Sequence, residues 1–350
     1  EVAIHGVPAR VGVLERPDPA FNAADPGNAR KVLVRVRAFS CNYRDRAQIY
    51  KLARFGAAAD FYVLGSEFAG EVVEVGPEVT TVRPGDRVMG DNAWPHASPE
   101  GWRAGVPTNH ASREYLSLRE EKVARIPPEM TDAVAAAFSI GAQTAYSMVG
   151  KLGVGPGSRV LVTAARSNTS LFAIAALRAV GARVFAATTS AGADERLREL
   201  GAEAVFRVGP GEGFHEHEEI AALVRDTGGF DGVVDPFFDL HLRRVLPVMA
   251  QGSRYTTCGF YSQSEGAPLP APAPELGEVL QIAMLRNLHL IGNCTGQADD
   301  LRRAVGDFAA GRLPVLVDSV LSGDDVSAFF DRSFNASDRL GKVVYAYGDA

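Results

Sequence analysis

The 350-residue sequence is poor in the residues that staple, anchor or charge a protein toward particular partners. Its three cysteines, Cys41, Cys258 and Cys294, lie far apart. That number and spacing exclude a disulfide framework and a Cys-x-x-Cys metal knuckle, and they fit a reducing cytoplasm. No apolar run reaches the ~18 residues that span a membrane, and no signal-peptide pattern opens the sequence. Basic residues (36) do not outnumber acidic ones (42), and the formal net charge of -6 argues against a nucleic-acid surface. No internal repeat or long low-complexity tract is present. What remains is an ordinary globular composition, 46% hydrophobic and 22% charged. At this length it suffices for two domains with their own cores. The expectation is a cytoplasmic protein acting on a small molecule, with neither nucleic acid nor membrane as partner.

The first ~125 residues read as strand-rich, with turns at Pro17-Asp18-Pro19, Asp25-Pro26-Gly27, Pro84-Gly85 and Pro127-Pro128. From Thr131 the pattern changes to a capped, Ala-rich helix start. Strands and helices then alternate: a short buried strand at Arg159–Ala164, a helix over Leu171–Val180 stopped by Gly181, a strand at Arg183–Thr188, and a helix over Ala193–Leu200. Ala204–Phe206, Gly232–Asp235 and Ser253–Cys258 read as further strands of this series, and Leu288–Gly292 as one more strand beyond it. This alternation predicts a parallel, doubly wound α/β sheet.

The segment Leu64-Gly65-Ser66-Glu67-Phe68-Ala69-Gly70-Glu71-Val72-Val73-Glu74-Val75-Gly76, closed by Gly85-Asp86-Arg87-Val88, carries a more specific signal. It resembles the G-H-E-x-x-G…V-G…G-D-x-V signature of medium-chain dehydrogenases/reductases, with Ser66 where the zinc-binding branch has histidine. Cys41-Asn42-Tyr43-Arg44-Asp45 is similar to the Leu-Asn-Tyr/Phe-Arg-Asp motif of the zinc-free branch, which includes quinone reductases and the enoyl reductase modules of polyketide synthases. Gly341-Lys342-Val343-Val344 extends the resemblance to nearly the whole chain. The resemblance implies a GroES-like catalytic domain formed by 1–128 and 288–350, and a Rossmann-type dinucleotide domain at 129–287. It also implies a homodimer joined through the edge at Leu288–Gly292.

Aligned on Asp45, the metal-ligand position of the zinc branch falls on Asn42, with Cys41 one residue away and so on the opposite face of a strand. Ser66 removes the histidine, and Asp91–His110 contains no cysteine. No metal is therefore expected. Without a Lewis acid, an activated C=C or a quinone suits hydride transfer, because hydrogen bonds can stabilise the enolate. Asn42 and Tyr43 are the candidate catalytic residues, with Tyr43 as proton donor or oxyanion ligand. Arg44 and Asp45 are expected to pair with each other. Trp94, Phe237, Tyr261 and Cys294 are the candidate substrate wall, and Trp94–Asn109, which includes Trp102, is a candidate lid.

The dinucleotide loop should follow the strand at Val160–Thr163. It reads Ala164-Ala165-Arg166-Ser167-Asn168-Thr169-Ser170, without the usual glycines. Either Ser167, Asn168, Thr169 and Ser170 supply donors to the phosphates, or they only cap the helix. The second strand ends in Thr188-Thr189-Ser190, with Arg196 further on. An acid there would hold an NAD ribose, whereas Thr188, Ser190 and Arg196 suit a 2′-phosphate. NADPH is thus expected over NADH, with Thr144, Gly259, Phe260 and Asn293 also against the cofactor. Carbonyl or imine reduction, and a non-catalytic scaffold that has lost the loop, remain as alternatives.

Overall fold

In a computed structural model, described over residues 1–56, 61–98, 108–262 and 275–348, the chain divides into two units. One is formed by 1–140 and 315–350, the other by 141–314. The return to the first unit thus falls at 315, later than the expected 288. The cause is the strand His289–Gly292, which pairs in parallel with Met249–Thr257 and closes the second unit's sheet.

The first unit is a GroES-like β domain. Its spine is the ten-residue strand Lys31–Ser40, rich in β-branched residues. That strand pairs antiparallel with Glu67–Val75 on one side and with Lys342–Ala346 and Tyr115–Arg119 along the other. Two registers matter for function. Ser40 lies opposite Glu67, and it also lies opposite Val344. Together they draw Asn42, Glu67 and Lys342 toward one end of the sheet. The helix Tyr43–Phe55 starts there, with Asn42 as its N-cap and Asp45 closing a capping box.

The second unit is a Rossmann-type sheet of six parallel strands. In spatial order they are Ala202–Arg207, Arg183–Thr188, Arg159–Val162, Phe230–Asp235, Met249–Thr257 and His289–Gly292. Leu161, Phe185, Val233, Val245 and Tyr255 lie at the centre of its core, each nearly inaccessible to solvent. Burial at about 1.5–3 kcal/mol per large apolar side chain holds the helices to this sheet. The helix after the first strand begins at Asn168, a turn earlier than the sequence suggests, because Ser167 caps it.

Candidate active site

In the first unit a buried polar cluster gathers at the end of the central strand. Lys342 Nζ lies 2.7 Å from Glu67 Oε2 and donates to Asn42 Oδ1 at 2.6 Å and to the Cys41 carbonyl at 3.2 Å. Asn42 Nδ2 donates to Glu67 Oε2 at 2.9 Å, and the Ile140 amide donates to Glu67 Oε1 at 2.7 Å. Glu67 and Lys342 are almost completely buried. Desolvation of both charges is offset because each finds several partners. The side chain of Asn42, predicted to be catalytic, is thus held at both ends and serves as a brace between Glu67 and Lys342.

Beside it, Asp45 is buried and accepts hydrogen bonds from the Asn42 amide (2.8 Å), the Gly65 amide (3.0 Å) and the Ser66 hydroxyl. Gly65 can offer its amide because it adopts φ +94°, where a Cβ would meet the Ser112 nitrogen at 2.9 Å. Burial pushes the Asp45 carboxyl above its usual range, against the pull of these three donors. The expected Arg44–Asp45 pair does not form among the described residues. Asp45 turns inward, while Gln48 Oε1 accepts from Arg44 Nη2 at 2.8 Å in the amide orientation that satisfies both groups. Tyr43 opens the helix, and the Arg46 guanidinium lies 4.2 Å from its ring centroid. Trp94 is 49% exposed, while Trp102 lies outside the described residues.

In the second unit Ser167 Oγ accepts from the Ser170 amide at 3.3 Å and donates to Ser170 Oγ at 2.9 Å. Ser170 Oγ in turn donates to the Thr163 carbonyl at 2.8 Å. Ser170 is fully buried, so it fastens the loop to the strand and does not face a ligand. Thr169 is half-buried at the start of the helix, and Asn168 is buried. Ala164 adopts φ +43°, the left-handed turn that glycine would take more cheaply by about 1–2 kcal/mol. The second strand ends at Thr188, whose Oγ1 accepts from the Ser190 amide at 3.3 Å. Arg196 is exposed and paired with Glu199 at 2.5 Å, and Asp194 is paired with Arg207 at 2.8 Å.

The C-terminal ends of the strands carry an aromatic group. Phe237 and Tyr261 pack edge to face at 5.8 Å, and Phe238 and Phe260 lie 6.1 Å apart. The Phe238 amide donates to the Gly259 carbonyl, and Asp239 accepts from the Tyr261 and Ser262 amides at 2.6 and 2.9 Å. Beneath them lies a network absent from the sequence reading. Asp235 accepts from Thr163 Oγ1 (2.7 Å), Tyr255 Oη (2.5 Å) and the Phe237 amide (2.9 Å), and its Oδ1 lies 2.8 Å from His241 Nδ1. Burial pushes the Asp235 carboxyl up, but His241, Tyr255 and Thr163 outweigh it and hold the group below the usual carboxylate range. An acid ending the apolar strand Gly232-Val233-Val234-Asp235 was the only signal for it. Asn293 is also internal: it accepts from Ser147 Oγ at 2.8 Å and donates to the Thr295 carbonyl at 2.5 Å. Thr144 is buried, while Cys294 is exposed.

Two family profiles match this chain. Residues 28–128 match the alcohol dehydrogenase GroES-like domain, and 169–310 match the zinc-binding dehydrogenase domain. The chain belongs to the medium-chain dehydrogenase/reductase superfamily. Members of this superfamily are oxidoreductases that use a nicotinamide cofactor. The chain is 31% identical over 242 residues to the spectinabilin polyketide synthase system protein NorB of Streptomyces orinoci. That alignment covers 69% of this chain but 10% of NorB, so the chain corresponds to about a tenth of that relative's length. An NAD-dependent alcohol dehydrogenase structure is similar with TM-score 0.74 and 28% identity, covering 98% of each chain. The CurK enoyl reductase structure shares the fold, with TM-score 0.70 and 21% identity over 95% of this chain and 93% of that one.

Membership raises the question of zinc. The residues at the end of the central strand do not fit it. Catalytic zinc takes thiolate, imidazole and carboxylate ligands around an open position. Here Asn42 and Ser66 offer a carboxamide and a hydroxyl, both already hydrogen-bonded. The Glu67 carboxylate is neutralised by the Lys342 ammonium. Cys41 is buried, and burial holds its thiol well above the usual value, away from the thiolate a metal requires.

Proposed function

We propose that this medium-chain dehydrogenase/reductase is a zinc-independent, NADPH-dependent reductase of an activated C=C, in an enone or enoyl group, or of a quinone. One observation carries the reading: the buried Glu67 faces the Lys342 ammonium at 2.7 Å, so the fixed cation at this end of the sheet belongs to the protein itself. An acceptor that needs only hydrogen bonds to its oxygen suits such a site. The similarity to NorB, by its name a polyketide synthase system protein, supports this reading.

The dinucleotide is held, in this reading, by the second unit. The first-turn amides of the helix Asn168–Ala179 and the Thr169 hydroxyl bind the phosphates. Thr188, Ser190 and Arg196 receive the 2′-phosphate, and Gly259, Phe260, Phe237 and Tyr261 form the wall at the strand ends. Bound NADPH supplies the hydride. Tyr43 holds the proton for the acceptor, and Asn42 and Lys342 keep the start of its helix in place. The active form is a homodimer. Leu276, Leu280 and Met284 recur every fourth residue on one helix and are 72, 55 and 70% exposed, next in sequence to His289–Gly292, an edge strand of the sheet among the described residues.

Fluorescence titration with NADPH and NADH, followed by turnover on enones, quinones and ketones, tests the reading. NADPH is expected to bind more tightly, enone or quinone turnover to exceed ketone turnover, and chelators to leave the rate unchanged. Absence of binding by either nucleotide overturns the assignment, and loss of activity on chelation overturns zinc independence.

A further inference from the structure

A cavity of about 270 Å³ opens in the first unit, and its lining includes Arg30, Lys31, Arg119 and Glu78. Register brings these four together. Lys31 opens the central strand and lies directly opposite Arg119, the last residue of the strand Tyr115–Arg119. The Gly76 amide donates to the Lys31 carbonyl at 2.8 Å, and the Glu78 amide donates to the Ala29 carbonyl at 2.9 Å, which sets Glu78 beside them. Gly76 permits that approach, since a Cβ there would meet the Asn28 carbonyl oxygen at 2.0 Å.

Two cations directly across an antiparallel pair share one face of the sheet and repel each other. Within the protein the offset is partial. Glu120 Oε1 accepts from Arg30 Nε and Nη2 at 3.1 and 2.8 Å, and Glu121 Oε1 accepts from Arg119 Nε. These bonds fix the two guanidinia by one edge each. Among the described residues no acceptor meets Arg30 Nη1, either Nη of Arg119 or the Lys31 ammonium. Glu78 is the one carboxylate of the lining among the described residues. Arg30, Arg119 and Glu78 are exposed and Lys31 is half-buried, so a solute reaches all four.

Three cations and one carboxylate leave the lining two positive charges. A phosphate monoester, close to a dianion at neutral pH, balances both, whereas a carboxylate balances one. Guanidinium groups fixed by one edge, with an ammonium beside them, suit its oxygens. We propose that this cavity binds a small phosphate monoester, with the phosphate among Lys31, Arg119 and the open edge of Arg30, and a hydroxyl of its stem donating to Glu78. Pockets for drug-sized ligands run to about 300–1,000 Å³, so this smaller cavity takes a short stem, that of a polyol phosphate. The site lies within the first unit and does not rest on the reductase reading.

Calorimetric titration at constant ionic strength tests it, with glycerol 3-phosphate, inorganic phosphate and glycerol as probes. The wild type should bind glycerol 3-phosphate more tightly than inorganic phosphate, and glycerol not at all. Lys31→Met and Arg119→Met should each weaken both phosphates about tenfold. Glu78→Gln should tighten inorganic phosphate about threefold and erase the preference for glycerol 3-phosphate, a gain that misfolding cannot produce. No binding of either phosphate by the wild type, or binding untouched by Lys31→Met and Arg119→Met, overturns the proposal. Equal affinity of the wild type for the two phosphates overturns the polyol assignment.

Discussion

Single residues in this protein divide into those whose chemistry is used up by the fold and those it leaves open. Glu67 and Lys342 are of the first kind. Lys342→Met should destabilise by about 3–5 kcal/mol in urea unfolding, because it strands a buried carboxylate, whereas Lys342→Met combined with Glu67→Gln should recover much of that loss. Glu120 gives a pH-dependent case. It is buried, accepts from the Thr80 and Thr81 amides and the Thr81 hydroxyl, and pairs with Arg30 at 2.8 Å. These bonds, the Thr80 amide first, hold its carboxyl at about 2, below its usual 4.5. A carboxyl depressed on folding stabilises above its unfolded value and loses that contribution as pH falls through the folded one. Wild-type stability should therefore fall between pH 4.5 and about 2 more steeply than that of Glu120→Gln. That variant should be weaker by about 2 kcal/mol at neutral pH. Equal slopes in acid unfolding would remove Glu120 as the cause.

At the scale of elements, the Ser167 cap decides how the dinucleotide helix begins. Ser167→Ala should cost about 1 kcal/mol in thermal unfolding and weaken nucleotide binding, since the same turn presents the first-turn amides. Unchanged nucleotide affinity in that variant would place the phosphates elsewhere. The elements themselves were readable. Alternating apolar runs and caps predicted the parallel strands, and Gly181 and Gly201 marked their helix ends. Two kinds of information were not readable. The partner of a buried polar side chain depends on strand register, so nothing in Asn42 or Lys342 alone announces that they meet 300 residues apart. Nor could adjacency show that Asp45 turns in and Arg44 turns out, because on a helix neighbouring residues point about 100° apart. Of the four polar residues Ser167–Ser170, Ser167 caps the helix and Ser170 ties the loop to the Thr163 carbonyl, while Thr169 is half-buried at the helix start.

On the scale of the whole molecule, the two-domain plan was legible from composition shift and motif order, but the point of return was not. Leu288–Gly292 reads as a plain apolar strand, and only pairing with Met249–Thr257 assigns it to the nucleotide sheet. That edge, with the exposed leucine and methionine stripe beside it in sequence, yields the assembly prediction. Leu280→Glu with Met284→Glu should convert a dimer to monomer in light scattering, with the fold retained by circular dichroism. A wild-type monomer at micromolar concentration would remove the stripe as a self-association surface.

The pairing of Lys342–Ala346 with the strand Lys31–Ser40 also governs the order of events during synthesis. The nucleotide unit is one uninterrupted stretch, complete once residue 314 has been made. The other unit waits with its central strand short of a neighbour until Lys342–Ala346 emerges. A ribosome-bound nascent chain therefore holds Glu67 without its counter-charge, and closing so long a loop is slow. The buried ion pair of this unit therefore forms only after Lys342 has been made.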